Sequence, residues 1–220
     1  MSKAIQIEEF QLKKVGIAIL VVLHIVGVVG YLSPLSDWFL FLTPMNLLIT
    51  AGMVWIDTQD GTYHGWWIGF SIALMGYLAE IIGVHTGLLF GDYQYGEVLG
   101  WKIFSVPPVI GVNWFIVVWG SYSVAMGLQI PKAIRWLFVG LMATGLDYII
   151  EPVAIHFHFW EWSGTNPPLK NYMCWFVLAS LMALLFERYP LVKKPRLGQT
   201  AFICQVLFFG GLIYLLKYWF

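Results

Sequence analysis

Three carboxylates stand within or at the ends of long apolar stretches: Glu80, Asp147 and Glu151. A central Asp costs about 2.5–3.5 kcal/mol on membrane-insertion scales, so such groups usually mark function. Asp147 and Glu151 are four residues apart, which on a helix puts them on one face, about 6 Å apart along the axis. Two acids this close need not both be ionised, so the pair can present a neutral acid beside an anionic partner. A neutral carboxylic acid can protonate an electron-rich alkene and leave a tertiary carbocation. Tyr and Trp faces stabilise such a cation by roughly 0.5–2 kcal/mol each, and Tyr93, Tyr95, Trp160 and Trp162 follow the acids along the chain. The cation can be captured by water, attacked by another double bond, or lose a proton. Water capture is hydration and internal attack is cyclisation. A membrane-dissolved polyene is the natural substrate class for either, and no metal or redox cofactor is required.

The elements that must position these groups follow from composition. The 220 residues are 60% hydrophobic, 18% aromatic and 11% charged, with 12 Lys and Arg against 12 Asp and Glu. A soluble domain carries about 25% charged residues, so this chain has too few charges to coat a globule in water. Zero net charge leaves no basic field for nucleic acid. The expectation is an all-α bundle, one integral-membrane domain over residues 1–220. A crossing needs about 20 largely apolar residues, and seven segments qualify or nearly so. They are Val15–Leu32, Trp38–Ile56, Trp66–Val84, Val109–Leu128, Ala133–Glu151, Tyr172–Phe186 and Ala201–Trp219. Ser33-Pro34, Asp57 to Gly61, Pro107-Pro108, Pro131, Pro167-Pro168 and Pro190 to Gly198 punctuate them, as Pro and Gly breakers should. The first run reads as a retained helix, having no small-residue cleavage site after it.

Orientation follows from Lys and Arg. The N-terminal side holds Lys3, Lys13, Lys14, Lys132, Arg135, Arg188, Lys193, Lys194 and Arg196, and the opposite side Lys102, Lys170 and Lys217. This predicts a cytoplasmic N-terminus in a multi-pass protein of the cell membrane. Trp38, Trp66, Trp67, Trp101, Trp160, Trp162 and Trp219 fall near predicted ends, where interfacial aromatics belong. The two longest loops, Gly83 to Ser105 and Pro152 to Asn171, share the outer side with the acids. Glu80, His85, Asp92, Tyr93, Tyr95, Asp147, Glu151, Trp160 and Trp162 therefore belong to one leaflet.

Each residue also has a plainer reading. Glu80 can simply bond a neighbouring helix, Glu151 can sit in water at a helix end before Pro152, and the aromatics can form the interfacial belt. The Gly83/Gly87/Gly91 spacing can serve close helix packing. His24 reads as a packing residue, and His156 and His158 as surface or structural. Five scattered histidines cannot fill a membrane di-iron site, and no HExxH, GxSxG or phosphate-binding loop occurs. Cys174 and Cys204 lie in apolar runs and suggest neither a disulfide framework nor a zinc site.

The run EIIGVHTGLLFGDYQYGEVLG (Glu80 to Gly100), with VPPVIGVNW (Val106 to Trp114), resembles the ExxGxxTGxxFGxYxYxxxLG and VPxxIxxxW blocks of the carotenoid 1',2'-hydratase family. DYIIEPVA (Asp147 to Ala154), WEW (Trp160 to Trp162) and PLKNYMCW (Pro168 to Trp175) are similar to its later blocks, with Pro167 where the pattern has Val. The resemblance covers about residues 80–175. It implies a multi-pass enzyme that adds water across the C1'–C2' double bond of a ψ end group, in a lycopene-, γ-carotene- or bisanhydrobacterioruberin-like carotenoid. It implies as partners the polyene, water, the lipid bilayer and other carotenoid-biosynthesis enzymes. Glu80 or Asp147 is then the proton donor, with Glu151 as partner or water-activating base. His85, Asp92, Tyr93 and Tyr95 position the network, Trp160 and Trp162 line the cation, and Asn171 holds water or the product hydroxyl. A weaker similarity reaches membrane lycopene cyclases, but Lys170 and Asn171 stand where those enzymes carry two acids. A carotenoid-binding or transport protein is the non-enzymatic alternative.

Overall fold

Apolar runs of 20 residues or more, bounded by proline and glycine, have one way to satisfy their backbone in lipid, the helix. In the computed structural model, which describes residues 3–56, 58, 64–164, 166–188 and 195–219, the chain is a helical bundle with one short hairpin. The helices are α1 (Lys3–Tyr31), α2 (Ser36–Phe41), α3 (Thr43–Ile56), α4 (His64–Thr86), α5 (Val109–Gly127), α6 (Lys132–His156), α7 (Leu169–Arg188) and α8 (Arg196–Trp219). Strand β1 (Tyr93–Tyr95) lies between α4 and α5, and β2 (Trp160–Trp162) between α6 and α7. The predicted breakers at Asp57, Asp60, Gly61 and Pro190, and Lys193 and Lys194 of the charge asymmetry, lie outside the described residues, as do the side chains of Lys3 and Trp219.

Six helices among the described residues (α1, α4, α5, α6, α7 and α8) are long and apolar enough to cross a bilayer. The second predicted segment differs. It is broken at Leu42 into α2 and a 14-residue α3, about 21 Å of helix, against a hydrocarbon core of about 30 Å. Pro44 sits in the first turn of α3, where a missing N–H costs nothing and from which no helix extends easily backwards.

The fifth predicted segment differs in the opposite sense. The sequence predicts an end at Glu151, before Pro152, yet α6 runs through Pro152 to His156. Such prolines are tolerated in membrane helices because neighbouring groups re-satisfy the freed carbonyl. The added turn carries Glu151 into the bundle, at 3% exposure, rather than leaving it in water at a helix end.

Helix α5 is the axis of the bundle. Pro107-Pro108 precede it, and Trp114, Phe115, Ile116, Val118 and Trp119 are at most 1% exposed on it. Outward, α1 shows Val22, Ile25 and Val29, and the α4 start shows Trp66 and Trp67, as lipid-facing and interfacial positions should. At the end opposite the hairpin, Arg135 donates to Glu187 at 2.8 Å, both side chains largely buried.

Close approach of α4 and α5 depends on Gly111, where an added Cβ would lie 2.5 Å from the Ala73 carbonyl oxygen. Because backbone cannot yield as a side-chain tip does, Gly111→Val should destabilise the bundle by about 1–3 kcal/mol. A lowered thermal midpoint of the detergent-solubilised protein is the measurement.

Candidate active site

A strand alternates its side chains between two faces, and the hairpin uses this to aim four aromatics one way. β1 and β2 pair antiparallel with Tyr93 opposite Trp162, Gln94 opposite Glu161 and Tyr95 opposite Trp160. Tyr93, Tyr95, Trp160 and Trp162 all line one cavity, while Gln94 and Glu161 are exposed. Tyr93 and Trp162 have ring centroids 5.1 Å apart, and Tyr95 and Trp160 are edge-on at 6.1 Å. Ser163 N donates to Asp92 O and Gly96 N to Phe159 O at either end of the hairpin, both at 2.9 Å.

Glu80, Asp147, Glu151 and Asn171 line the same cavity from α4, α6 and α7. Each is 3–4% exposed. Glu80 accepts from three donors: Tyr93 Oη at 2.5 Å and Tyr95 Oη at 2.8 Å on Oε2, and Trp114 Nε1 at 2.9 Å on Oε1. Glu151 Oε2 accepts from the indoles of Trp160 and Trp162, each at 3.0 Å. Asn171 Nδ2 donates to Asp147 Oδ2 at 2.8 Å and reaches Glu151 Oε1 at 3.5 Å. One amide thus spans the two α6 carboxyls, whose four-residue spacing puts them on one face. Burial first, and then the Glu80 carboxylate, push the phenols of Tyr93 and Tyr95 above their ordinary range, so both remain hydrogen-bond donors.

Room for this network comes from Gly83, one turn beyond Glu80: a Cβ there would lie 2.7 Å from the Phe90 ring and 3.0 Å from Tyr93 Oη. Gly87 and Gly91 do not continue a packing stripe. Both lie beyond the end of α4 with φ of +62° and +120°, in the loop that leads to β1, so the helix-packing reading of that spacing fails for them. Phe90, also left-handed at φ 65°, is buried with its ring 6.2 Å from those of Tyr93 and Trp114.

Two predicted site residues stand apart. His85 is exposed and pairs with Phe104 O at 3.1 Å. Five residues after Glu80, it is about 140° around α4 from that carboxylate. Asp92 is exposed beside Gly87, and strand alternation sends it, like Gln94, away from the cavity. Of the remaining histidines, His158 lies 3.2 Å from Glu161 Oε1, outside the cavity, and His24 is on α1. Among the described residues no three His, Cys, Asp or Glu side chains are grouped as metal ligands.

Three further side chains complete the site. Trp114 bonds Glu80 and stacks on Trp175 with centroids 3.7 Å apart and planes 7° from parallel, and Asn113 also lines the cavity. Both tryptophans close sequence blocks quoted above, VPPVIGVNW and PLKNYMCW, which was the available signal. For Trp114 helical periodicity gave none, because α5 is buried on nearly every side.

The chain matches the family described as "Carotenoid biosynthesis protein" over residues 18–219. It is also similar to a curated protein of Haloarcula japonica, bisanhydrobacterioruberin hydratase, with 28% identity over 125 residues. That alignment takes in 53% of this chain and 43% of the relative, so the chain spans less than half the length of the relative it matches. No solved structure matches.

Three donors converge on Glu80, so Glu80→Leu should strand all of them at about 1–3 kcal/mol each. Glu80→Gln keeps an acceptor oxygen and should lose much less. Thermal unfolding of the two purified variants measures the difference, and equal midpoints would show that the donors find partners elsewhere.

Proposed function

The chain belongs to the carotenoid biosynthesis protein family, and from that premise we propose that it is a hydratase adding water across the C1'–C2' double bond of a ψ end group. The observation that carries this reading is the Asp147–Asn171–Glu151 bridge inside a cavity walled by Tyr93, Tyr95, Trp160, Trp162 and Trp175. The name of the Haloarcula japonica relative supports it.

The roles follow from the donors each acid meets. Glu80 has both oxygens engaged as acceptors, an arrangement suited to a carboxylate that fixes the hairpin and sets the field of the cavity. Asp147 accepts from Asn171 alone among the described side chains, which leaves it the acid of the site. Its proton goes to C2', the π electrons form the new C–H bond, and the positive charge is left on tertiary C1'. The aromatic faces of the cavity stabilise this cation, by roughly 0.5–2 kcal/mol per ring. A water lone pair forms the C1'–O bond, and the oxonium gives its proton to the Glu151 carboxylate. Transfer of that proton back to Asp147, whose carboxyl shares Asn171 with Glu151, restores the starting state. The net change is addition of one water, with no oxidant, reductant or cofactor consumed.

A cyclase would form the same cation but deliver a product of unchanged mass. Expression in a lycopene-making and a γ-carotene-making host, with pigment mass as readout, should show the gain of one water per hydrated end. Asp147→Asn and Glu151→Gln should each lower hydration by about 10²-fold or more, the usual worth of a positioned acid or base. Full activity in both variants would overturn the mechanism, and an isomeric pigment of unchanged mass would overturn the reaction.

A further inference from the structure

A second cavity lies beside the acid site, reached from α1, α3, α5 and α8. Ile110, Asn113, Ile150 and Trp160 line both cavities. Among the described residues no carboxylate lines the second one, yet it is not simply greasy: His24, Asn46, Thr50 and Gln205 join Asn113 there. Buried polar groups in a membrane protein are costly unless something bonds them.

Two of these groups require a donor. Gln205 is 4% exposed, and its Oε1 meets no donor among the described residues. His24 is 9% exposed, with Nδ1 2.7 Å from the Leu20 carbonyl oxygen. A carbonyl only accepts, so Nδ1 carries the hydrogen and the neutral ring offers Nε2 as an acceptor. A hydrocarbon polyene has no O–H or N–H to give. Water has two, and among the described residues the amide common to both cavities is Asn113, which can both accept and donate, whereas the shared Trp160 indole is already committed to Glu151.

We propose that this cavity is the water chamber of the reaction: His24 and Gln205 hold the water and Asn113 hands it to the cation formed next door. The proposal rests on the hydratase reading above. It separates the two reagents in space. The polyene end occupies the acid cavity, and the nucleophile arrives through the shared wall. The cation that meets water forms a C1'–O bond and releases the second water proton to Glu151. A cation without water has another exit: the original C2'–H bond gives its electron pair back to the C1'=C2' double bond and its proton to Glu151. In heavy water that exit leaves deuterium in a polyene of otherwise unchanged structure.

The test uses the full chain in phospholipid nanodiscs with lycopene in D2O, comparing wild type with Asn113→Leu and the near-isosteric Gln205→Met. Wild type should give mainly the deuterated alcohol. In both variants alcohol formation should fall at least roughly tenfold, the loss of a hydrogen bond to the water, while deuterium continues to enter the recovered polyene. A merely structural role would lower alcohol and deuterium uptake together, and that result overturns the proposal. Unchanged alcohol formation in both variants also overturns it. A defect confined to hydroxyl-bearing carotenoids would assign the chamber to an alcohol group of the substrate and overturn the water role. If wild type yields neither alcohol nor deuterium, it is the hydratase reading that fails.

Discussion

A carboxylate buried in a membrane bundle must be given hydrogen-bond donors, and the rest of this structure is arranged around meeting that need three times over. Glu80, Asp147 and Glu151 are each 3–4% exposed. Helices can supply few donors of their own, because in a helix the backbone N–H groups are already spent on the i−4 carbonyls. The donors therefore come from Tyr, Trp and Asn side chains: two phenols and an indole for Glu80, two indoles for Glu151, one amide for Asp147. The same side chains are the walls of the cavity. What neutralises the burial cost of the acids also supplies the π faces a carbocation needs.

This explains why a helical membrane protein keeps a three-residue hairpin. Two isolated strands of this length are not stable by their own ladder. Here β1 and β2 are held by the aromatic pairs Tyr93–Trp162 and Tyr95–Trp160 and by the carboxylates beneath them. Lys170, in the first turn of α7, adds a bond to Gly87 O at 2.7 Å, tying the loop after α4 to the start of α7. The acids at this end and the Arg135–Glu187 pair at the other divide the chain's few buried charges between a site and a clasp.

Much of the site was legible. Glu80, Asp147 and Glu151 could be picked out because an acid in an apolar run is rare and costly, and the four-residue spacing of the last two fixed their common face. Tyr93, Tyr95, Trp160 and Trp162 were legible as aromatic alternations beside those acids, though not as strands that pair with each other. His85 and Asp92 looked equivalent to their neighbours in the linear motif, and only helix phase and strand alternation turned them outward. Trp114 and Trp175 stood at the ends of two sequence blocks, but no local pattern said that they stack on each other or that Trp114 meets Glu80, because these contacts join α4, α5 and α7.

The sequence by itself determined the membrane bundle, the approximate helices and the identity of the acids, since these depend on composition, run length and local spacing. Tertiary structure decided that Pro152 bends no helix to an end, that Glu151 is buried rather than wet, and that two loops more than sixty residues apart close over the acids as one hairpin. It also decided that the acid cavity shares a wall with a second, polar one. These are contacts between segments distant in the chain. No local pattern encodes them, because their energy arises only when donors from several elements meet one buried acceptor.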